Sequence, residues 1–315
     1  DGADRLVTFA YQDTKKLAET EVWRGSVVGI RNLDGSMLNN EETRSMNTFL
    51  KGDGGQALLW QLGMSESSIS FQGILTFKMN GAETSKIMTF QYSLAEVHDV
   101  FGVKANVVGI QNDDGSMLNK DQTLQMTSFL NNVESDGLKN SIAVDRIRFQ
   151  GIATLKQKRI EFNRREFTDK EYSETGIATF DFGGNRHGAM KIFEGSIIAF
   201  TNLDGSYKEN AITHMSKEEF ARLGVNNVTM QTVTVVGDES FLTTHSSTLN
   251  TELGGVNYNI VGLHNLDGSL MTEKQAEKAK VSLSKNFTSF SGPQSITFQY
   301  IDGKYEQFAE NMKFK

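Results

Sequence analysis

The stretch VVGIQNDDGSMLNKDQT, running from Val107 to Thr123, decides the fold because it occurs four times. VVGIRNLDGSMLNNEET starts at Val27, IIAFTNLDGSYKENAIT at Ile197 and IVGLHNLDGSLMTEKQA at Ile260. Asn-x-Asp-Gly-Ser directly after an apolar tetrad, four times over, is duplication rather than chance. The tetrad is a β-branched run with strand character. Asn-x-Asp-Gly is a turn: Asx side chains bond backbone amides ahead of them and Gly accepts positive φ.

Working outward, a second element lies upstream. TFAY at Thr8, TFQY at Thr89 and TFDF at Thr179 precede the turn Asn by 24, 23 and 23 residues. In the fourth copy Phe241–His245 holds this place, and a further TFQY begins at Thr297. A third element, FQGILTF from Phe71 and FQGIATL from Phe149, stands between one turn and the next TFxY, with Phe290-Ser-Gly-Pro as its remnant near the C-terminus. Downstream of the turn comes a helix start. Asn39 with Glu42, Asn119 with Gln122 and Thr272 with Gln275 have capping-box spacing, and in the third copy Ser216 with Glu219 supplies a later box. Met46, Phe49 and Leu50 match Met126, Phe129 and Leu130 as an apolar helical stripe, with Phe220 and Leu223 in the third copy and Ala276, Ala279 and Leu283 in the fourth.

These pieces predict a β-rich α+β fold of four diverged repeats, each a strand–strand–Asx-Gly turn–short amphipathic helix–strand unit. The expected boundaries are 1–64, 65–145, 146–224 and 225–289, with closing strands over 290–315. The loosest connections are expected at Lys51–Gly55, Asn131–Gly137 and Phe182–Gly188. Trp23 and Trp60 are expected in the core or shielding an end.

Composition bounds the function. A net charge of −7 and pI near 5.4, with one basic run at Lys156–Arg165, argue against nucleic acid. There is no Cys, hence no disulfide framework and no thiolate metal site. No apolar run is long enough to span a bilayer as a helix. The chain opens on Asp1, so removal of any leader is expected.

Asn32, Asp34, Asn112, Asp114, Asn202, Asp204, Asn265 and Asp267 are the candidate calcium ligands, since hard cations take oxygen donors. The competing reading is a structural turn with a helix cap, and it is favoured. Gly35 comes only three residues after Asn32, which does not match the EF-hand loop. The histidines His98, His187, His214, His245 and His264 are dispersed and form no metal or catalytic motif. Arg186 and His187 in their Gly-rich stretch lack phosphate-loop spacing.

The expected function is a non-enzymatic structural or binding protein, secreted or at a cell surface, without a cofactor. Its partners would be a protein or glycan surface, or further copies of itself. The alternatives are a calcium-dependent glycan-binding protein with sites at the turns, and a carbohydrate- or peptide-active enzyme with its site in the connections. The first copy lacks the upstream FQGI-type strand that opens a unit, while the C-terminus, with Phe290-Ser-Gly, Thr297–Tyr300 and Phe308–Phe314 but no final turn or helix, supplies a strand left over. An apolar sheet edge is therefore expected, covered by the chain's own other end or by another molecule.

Overall fold

The structure, a computed structural model, describes residues 3–12, 16–17, 20–21, 24–62, 68–97, 100–163, 166–187, 190–213, 215–250, 255–286, 295–299 and 305–309. It is a strand-rich α+β fold in two compact units. One comprises Asp1–Leu118, Phe129–Gln150 and Asp181–Phe193; the other comprises Asn119–Ser128, Gly151–Phe180 and Glu194–Lys315.

The first unit contains β1 (Leu6–Gln12), a small hairpin of β2 (Lys16–Leu17) and β3 (Thr20–Glu21), and β4 (Arg24–Arg31). Then come α1 (Asn40–Lys51), α2 (Asp53–Gln61), β5 (Ser68–Met79), β6 (Ala82–Val97) and β7 (Val100–Asn112). Helix α3 (Lys120–Asn131) is divided between the units, and α4 (Asp136–Ile142) leads into β8 (Arg146–Asn163). The sheet order is β1-β4-β5-β6-β7-β8. Neighbours are antiparallel except β4–β5 and β7–β8, which are parallel. Parallel neighbours need a crossover, and the helices supply it.

The second unit takes most of β8 and β9 (Glu166–His187), the end of β10 (Met190–Thr201), then β11 (Lys208–Glu209), α5 (Lys217–Leu223) and β12 (Asn227–Val236). It continues with β13 (Glu239–Asn250), β14 (Gly255–His264), α6 (Glu273–Asn286), β15 (Ser295–Gln299) and β16 (Tyr305–Ala309). Here the order is β8-β9-β10-β12-β13-β14-β15-β16, parallel at β10–β12 and β14–β15, with β11 also beside β12.

A bulge explains the tetrads. Thr8 pairs with Gly29 but Phe9 with Val27, leaving Val28 unpaired. Val108 and Val261 are skipped in the same way. In a regular strand residues three apart face opposite sides. The extra residue resets the alternation, so Val27 and Ile30 are both buried, as are Val107 with Ile110 and Ile260 with Leu263. Val28, Val108 and Val261 are exposed, and so is Ile198 at the same place in the third tetrad. Opposite each bulge Gly admits a Thr: a Cβ on Gly109 or Gly262 would lie 3.2 Å from Thr89 or Thr244 Oγ1.

Register also corrects the alignment of motifs. In β13 it is Thr244-His245, at the end of the expected Phe241–His245 stretch, that takes the Thr-Phe place of Thr89-Phe90. Strand β15 runs parallel to β14 with Ile296 beside Ile260, as Ile69 lies beside Val27 and Ile147 beside Val107. The TFQY at Thr297 is therefore an FQG-type strand, and β16 takes the TFxY place. Met230-Gln231 on β12 is a further FQG-type element, since Val228 lies beside Ile197 in that register. Phe290-Ser-Gly lies outside the described residues.

The helices carry the expected caps. Asn39 and Glu42 complete a capping box, as do Asn119 with Gln122 and Thr272 with Gln275. Ser216 accepts the Glu219 amide at 3.3 Å, but the Glu219 carboxylate turns instead to Arg222 and the Lys156 amide. Met46, Leu50, Met126, Phe129, Leu130, Phe220, Leu223, Ala276, Ala279 and Leu283 are buried. Phe49 is the exception at 41% exposed; its ring lies over Gly54, where a Cβ would come within 2.2 Å. Sheet glycines seat the helices: a Cβ on Gly73 or Gly151 would fall 2.2 or 2.3 Å from the hydroxyl of Thr43 or Thr123.

The stretches expected to be loosest are ordered elements. Gly52 joins α1 to α2, and Gly55 fits there because a Cβ would meet the Leu50 carbonyl at 1.8 Å. Residues 131–137 pass from α3 through a short 3-10 turn, Val133–Ser135, into α4. Phe182–His187 continues β9, and Gly188 lies outside the described residues. Trp60 on α2 is 52% exposed rather than in the core, and Trp23 is outside the described residues.

Candidate functional site

The four turns are built alike. The Gly35 amide donates to the Asn32 carbonyl at 2.9 Å, and Asn32 N donates to the Ser36 carbonyl at 3.0 Å. The same two bonds close the turns at Asn112, Asn202 and Asn265. Gly35, Gly115, Gly205 and Gly268 have φ of 83°, 81°, 85° and 82°, the left-handed region where glycine carries no Cβ penalty.

Within each turn the candidate ligands bond one another. Asp34, Asp114, Asp204 and Asp267 accept the amide of the Ser two residues on, at 2.8–2.9 Å. Those Ser bonds hold all four carboxyls below the usual aspartate range. Each Asn amide nitrogen donates to the Ser hydroxyl and to the next backbone carbonyl. Its Oδ1, the atom a cation would use, accepts from Arg5, Lys86, Lys208 or Gln275. A protein cation thus already stands beside three of the four Asn oxygens. Among the described residues, no three His, Asp or Glu side chains converge as a metal centre would require.

Charged side chains tie turns to neighbouring elements. Lys208, 5% exposed, occupies the place of the buried Leu38 and Leu118, six residues past the turn Asn. Its ammonium donates to the Thr175 carbonyl and Asn202 Oδ1 and lies 3.1 Å from Glu174. This satisfies the buried charge. Glu42 joins cap and turn, accepting from the Asn39 amide, Asn32 and Arg5. Those bonds, the Asn39 amide first, lower its carboxyl. Asp181, buried on β9, accepts from Arg148 at 2.9 Å, and Arg146 stands 2.7 Å away as an ion pair. Lys156, in the basic run, is on β8 and 3.7 Å from Glu171, and Arg165 lies outside the described residues.

One buried polar cluster was not legible from motifs. His245 on β13 is 5% exposed, with Nδ1 2.7 Å from Tyr258 Oη and Nε2 2.6 Å from Thr243 Oγ1 and 3.2 Å from Thr232 Oγ1. Thr213 donates to the same Tyr258 hydroxyl at 3.1 Å. Burial lowers the imidazole to about 4, so it is neutral at pH 7. Among the described residues no carboxylate bonds to it to make a relay, and the four other members of the cluster offer hydroxyls, so the cluster fills the core. The register supplies the clue, because His245 stands where Phe90 is buried in β6. His187 lies in β9 but its side chain, like His98 and His214, is outside the described residues.

An open groove of about 480 Å³ lies beside the third turn, lined by Ile198, Phe200, Tyr207, Met230, Gln231 and Thr244 among others. No Asp, Glu, His, Lys or Arg lines it. Proton-transfer chemistry has no pair of groups to work with there. No helix is long and apolar enough to cross a membrane among the described residues. Comparison with protein-family models and with curated proteins finds no match, so a functional reading of this chain rests on its own residues.

Proposed function

We propose that the chain is a non-enzymatic scaffold of four diverged repeats, secreted or surface-displayed, that works through its sheet surfaces and edges in recognition or assembly. The observation that carries this reading is how the four turns use their polar atoms. In each Asn-x-Asp-Gly-Ser the Asn Oδ1 accepts from a neighbouring basic or amide side chain and the Asp Oδ1 accepts from within the turn. Atoms consumed in this way shape the backbone rather than await a substrate. Exposed aliphatic residues recur instead: Val28, Val108, Ile198 and Val261 at the bulges, and Leu33, Leu203 and Leu266 at the turn tips. In this reading these exposed aliphatics supply the contact faces.

A calcium titration followed by thermal melting, with a glycan array read with and without chelator, tests the reading. The scaffold reading expects no saturable stabilisation and no chelator-sensitive glycan signal. A ligand at a hundred times its Kd adds about 2.7 kcal/mol, well within detection. A shift of that size, or chelator-sensitive binding, would replace the scaffold by a calcium-dependent glycan-binding protein.

A further inference from the structure

Strand β1 and strand β6 carry matching residues in matching register, yet their surroundings differ. Leu6, Val7, Phe9 and Tyr11 occupy the places of Ile87, Met88, Phe90 and Tyr92 relative to the bulged partner strand. The four β6 residues are 7%, 1%, 0% and 1% exposed, whereas the four on β1 are 49%, 38%, 45% and 65% exposed. The β6 residues are covered by helices, with Tyr92 donating to Asn47 on α1 and α2 packed against the strand, and β6 is also flanked on both edges. On its second edge β6 has β5, an FQG-type strand that sets Ile69 opposite Tyr92, Phe71 opposite Phe90 and Gln72 opposite Thr89. Among the described strands β1 pairs with β4 alone. Its bare edge is therefore a template whose occupant is specified by β5: an antiparallel strand reading Ile-x-Phe-Gln.

The chain contains such a strand in β15, Ser295-Ile-Thr-Phe-Gln299, where Ile296, Phe298 and Gln299 take the places of Ile69, Phe71 and Gln72. Its present antiparallel neighbour, β16, matches the pattern at Phe308, opposite Ile296 as Tyr92 is opposite Ile69, but departs from it opposite Phe298 and Gln299. The register sets Glu306 opposite Phe298 and Tyr305 opposite Gln299, where β6 offers Phe90 and Thr89. Strand β1 offers Phe9 and Thr8 at those positions. We infer that β1 of one molecule replaces β16 as the partner of β15 in a second molecule, so that copies join head to tail through a completed β15-β1-β4 meander. Antiparallel main-chain pairing gives the affinity, and burial of Phe9 and Tyr11 beside Phe298 and Ile296 gives the register. The inference rests on the scaffold reading and names a second copy of the chain as one partner.

The native chain has no Cys, so an engineered pair reports cleanly. Thr8→Cys with Gln299→Cys places thiols at the positions that Thr89 and Gln72 occupy, where the Gln72 amide lies 3.3 Å from the Thr89 hydroxyl. Under mild oxidation of concentrated protein the double variant is expected to give a ladder of covalent oligomers, and Phe9→Glu in the same background is expected to abolish it. Removing Tyr305–Lys315 from the double variant should speed the ladder, because the resident strand no longer competes. Dimers from Thr8→Cys alone would mean that two β1 edges pair with each other, and would overturn the inference. A double variant that stays monomeric under oxidation would also overturn it, as would a ladder insensitive to Phe9→Glu. None of these three results would touch the scaffold reading, whose test is the calcium and glycan experiment.

Discussion

His245 makes stability depend on pH in a window where the turn aspartates do not. In the folded chain burial holds its imidazole at about 4, against 6.5 in the ordinary state. Thr213 donates to Tyr258 Oη, so the Tyr258 proton is directed to Nδ1, and Nε2 then carries the imidazole proton towards Thr243. Protonating Nδ1 would set two donors against each other. The sign follows from the depressed value. Above pH 6.5 the histidine is neutral whether folded or unfolded, and the contribution is fully present. Between 6.5 and 4 the unfolded chain takes up a proton that the folded chain refuses, and stability falls. Below about 4 the loss levels off. One pKa unit is worth about 1.4 kcal/mol, so the loss is about 2 kcal/mol by pH 5 and about 3 kcal/mol by pH 4.

His245→Phe installs the residue that stands at this place in β6. Thr232 and Thr243 still have each other at 3.2 Å, but the Tyr258 hydroxyl loses its bond to Nδ1, a pH-independent cost of about 1 kcal/mol. The variant should therefore be less stable at pH 7, yet lose less stability on acidification. Urea unfolding of both proteins at intervals from pH 7.5 to 4 reads the difference directly. Parallel curves for the two proteins would refute the assignment, as would an NMR titration placing the His245 midpoint near 6.5.

Gly115→Val forces a β-branched residue to φ near 81° and should lower stability by about 1 kcal/mol or more, read as a lower urea midpoint. Phe129, buried and stacked 5.4 Å from Phe77, should cost about 3–5 kcal/mol on change to Ala, whereas Phe49→Ala, at an exposed position, should cost far less. Equal losses would break the assignment of helix faces. Gly151→Ala should overpack against Thr123 by about 1–3 kcal/mol, and adding Thr123→Ala should recover part of the loss; a strictly additive double-mutant cycle would show that the two do not touch.

What could be read from the sequence was whatever local chemistry enforces. The turns follow from Asx and Gly, and three capping boxes follow from side-chain reach; both stand in the structure where spacing put them. What escaped depends on partners distant in the chain. Val27 and Ile30, three apart, read as strand or helix equally well until Thr8 and Phe9 are placed opposite them and the bulge appears. Phe49 matches Phe129 in sequence, but Gly54 at the start of α2 draws its ring aside, so one is exposed and the other buried. The loops expected at Lys51–Gly55 and Asn131–Gly137 rested on glycine content, and there glycine serves close helix packing, as Gly55 does against the Leu50 carbonyl.

The misplaced motifs teach most about the candidate sites. Thr-Phe-Gln-Tyr at Thr89 and at Thr297 are identical tetrapeptides, yet one is the middle strand of a meander and the other opens the next. Alternation of apolar and polar residues fixes only that a segment is a strand with one buried face. Which strand it becomes is set by what its two edges meet, and that is decided by the parallel crossover beside the bulged tetrad. The same dependence links His245 to Phe90. A histidine in an unrecognised Thr-Phe position looks like one of five scattered rings, whereas in register it stands where β6 buries Phe90. Its hydroxyl partners follow from that place: Thr232 stands where Gly73 stands, and Thr243 is two residues before it on the same strand face. The polar cluster is thus a core position that holds a histidine where β6 buries Phe90.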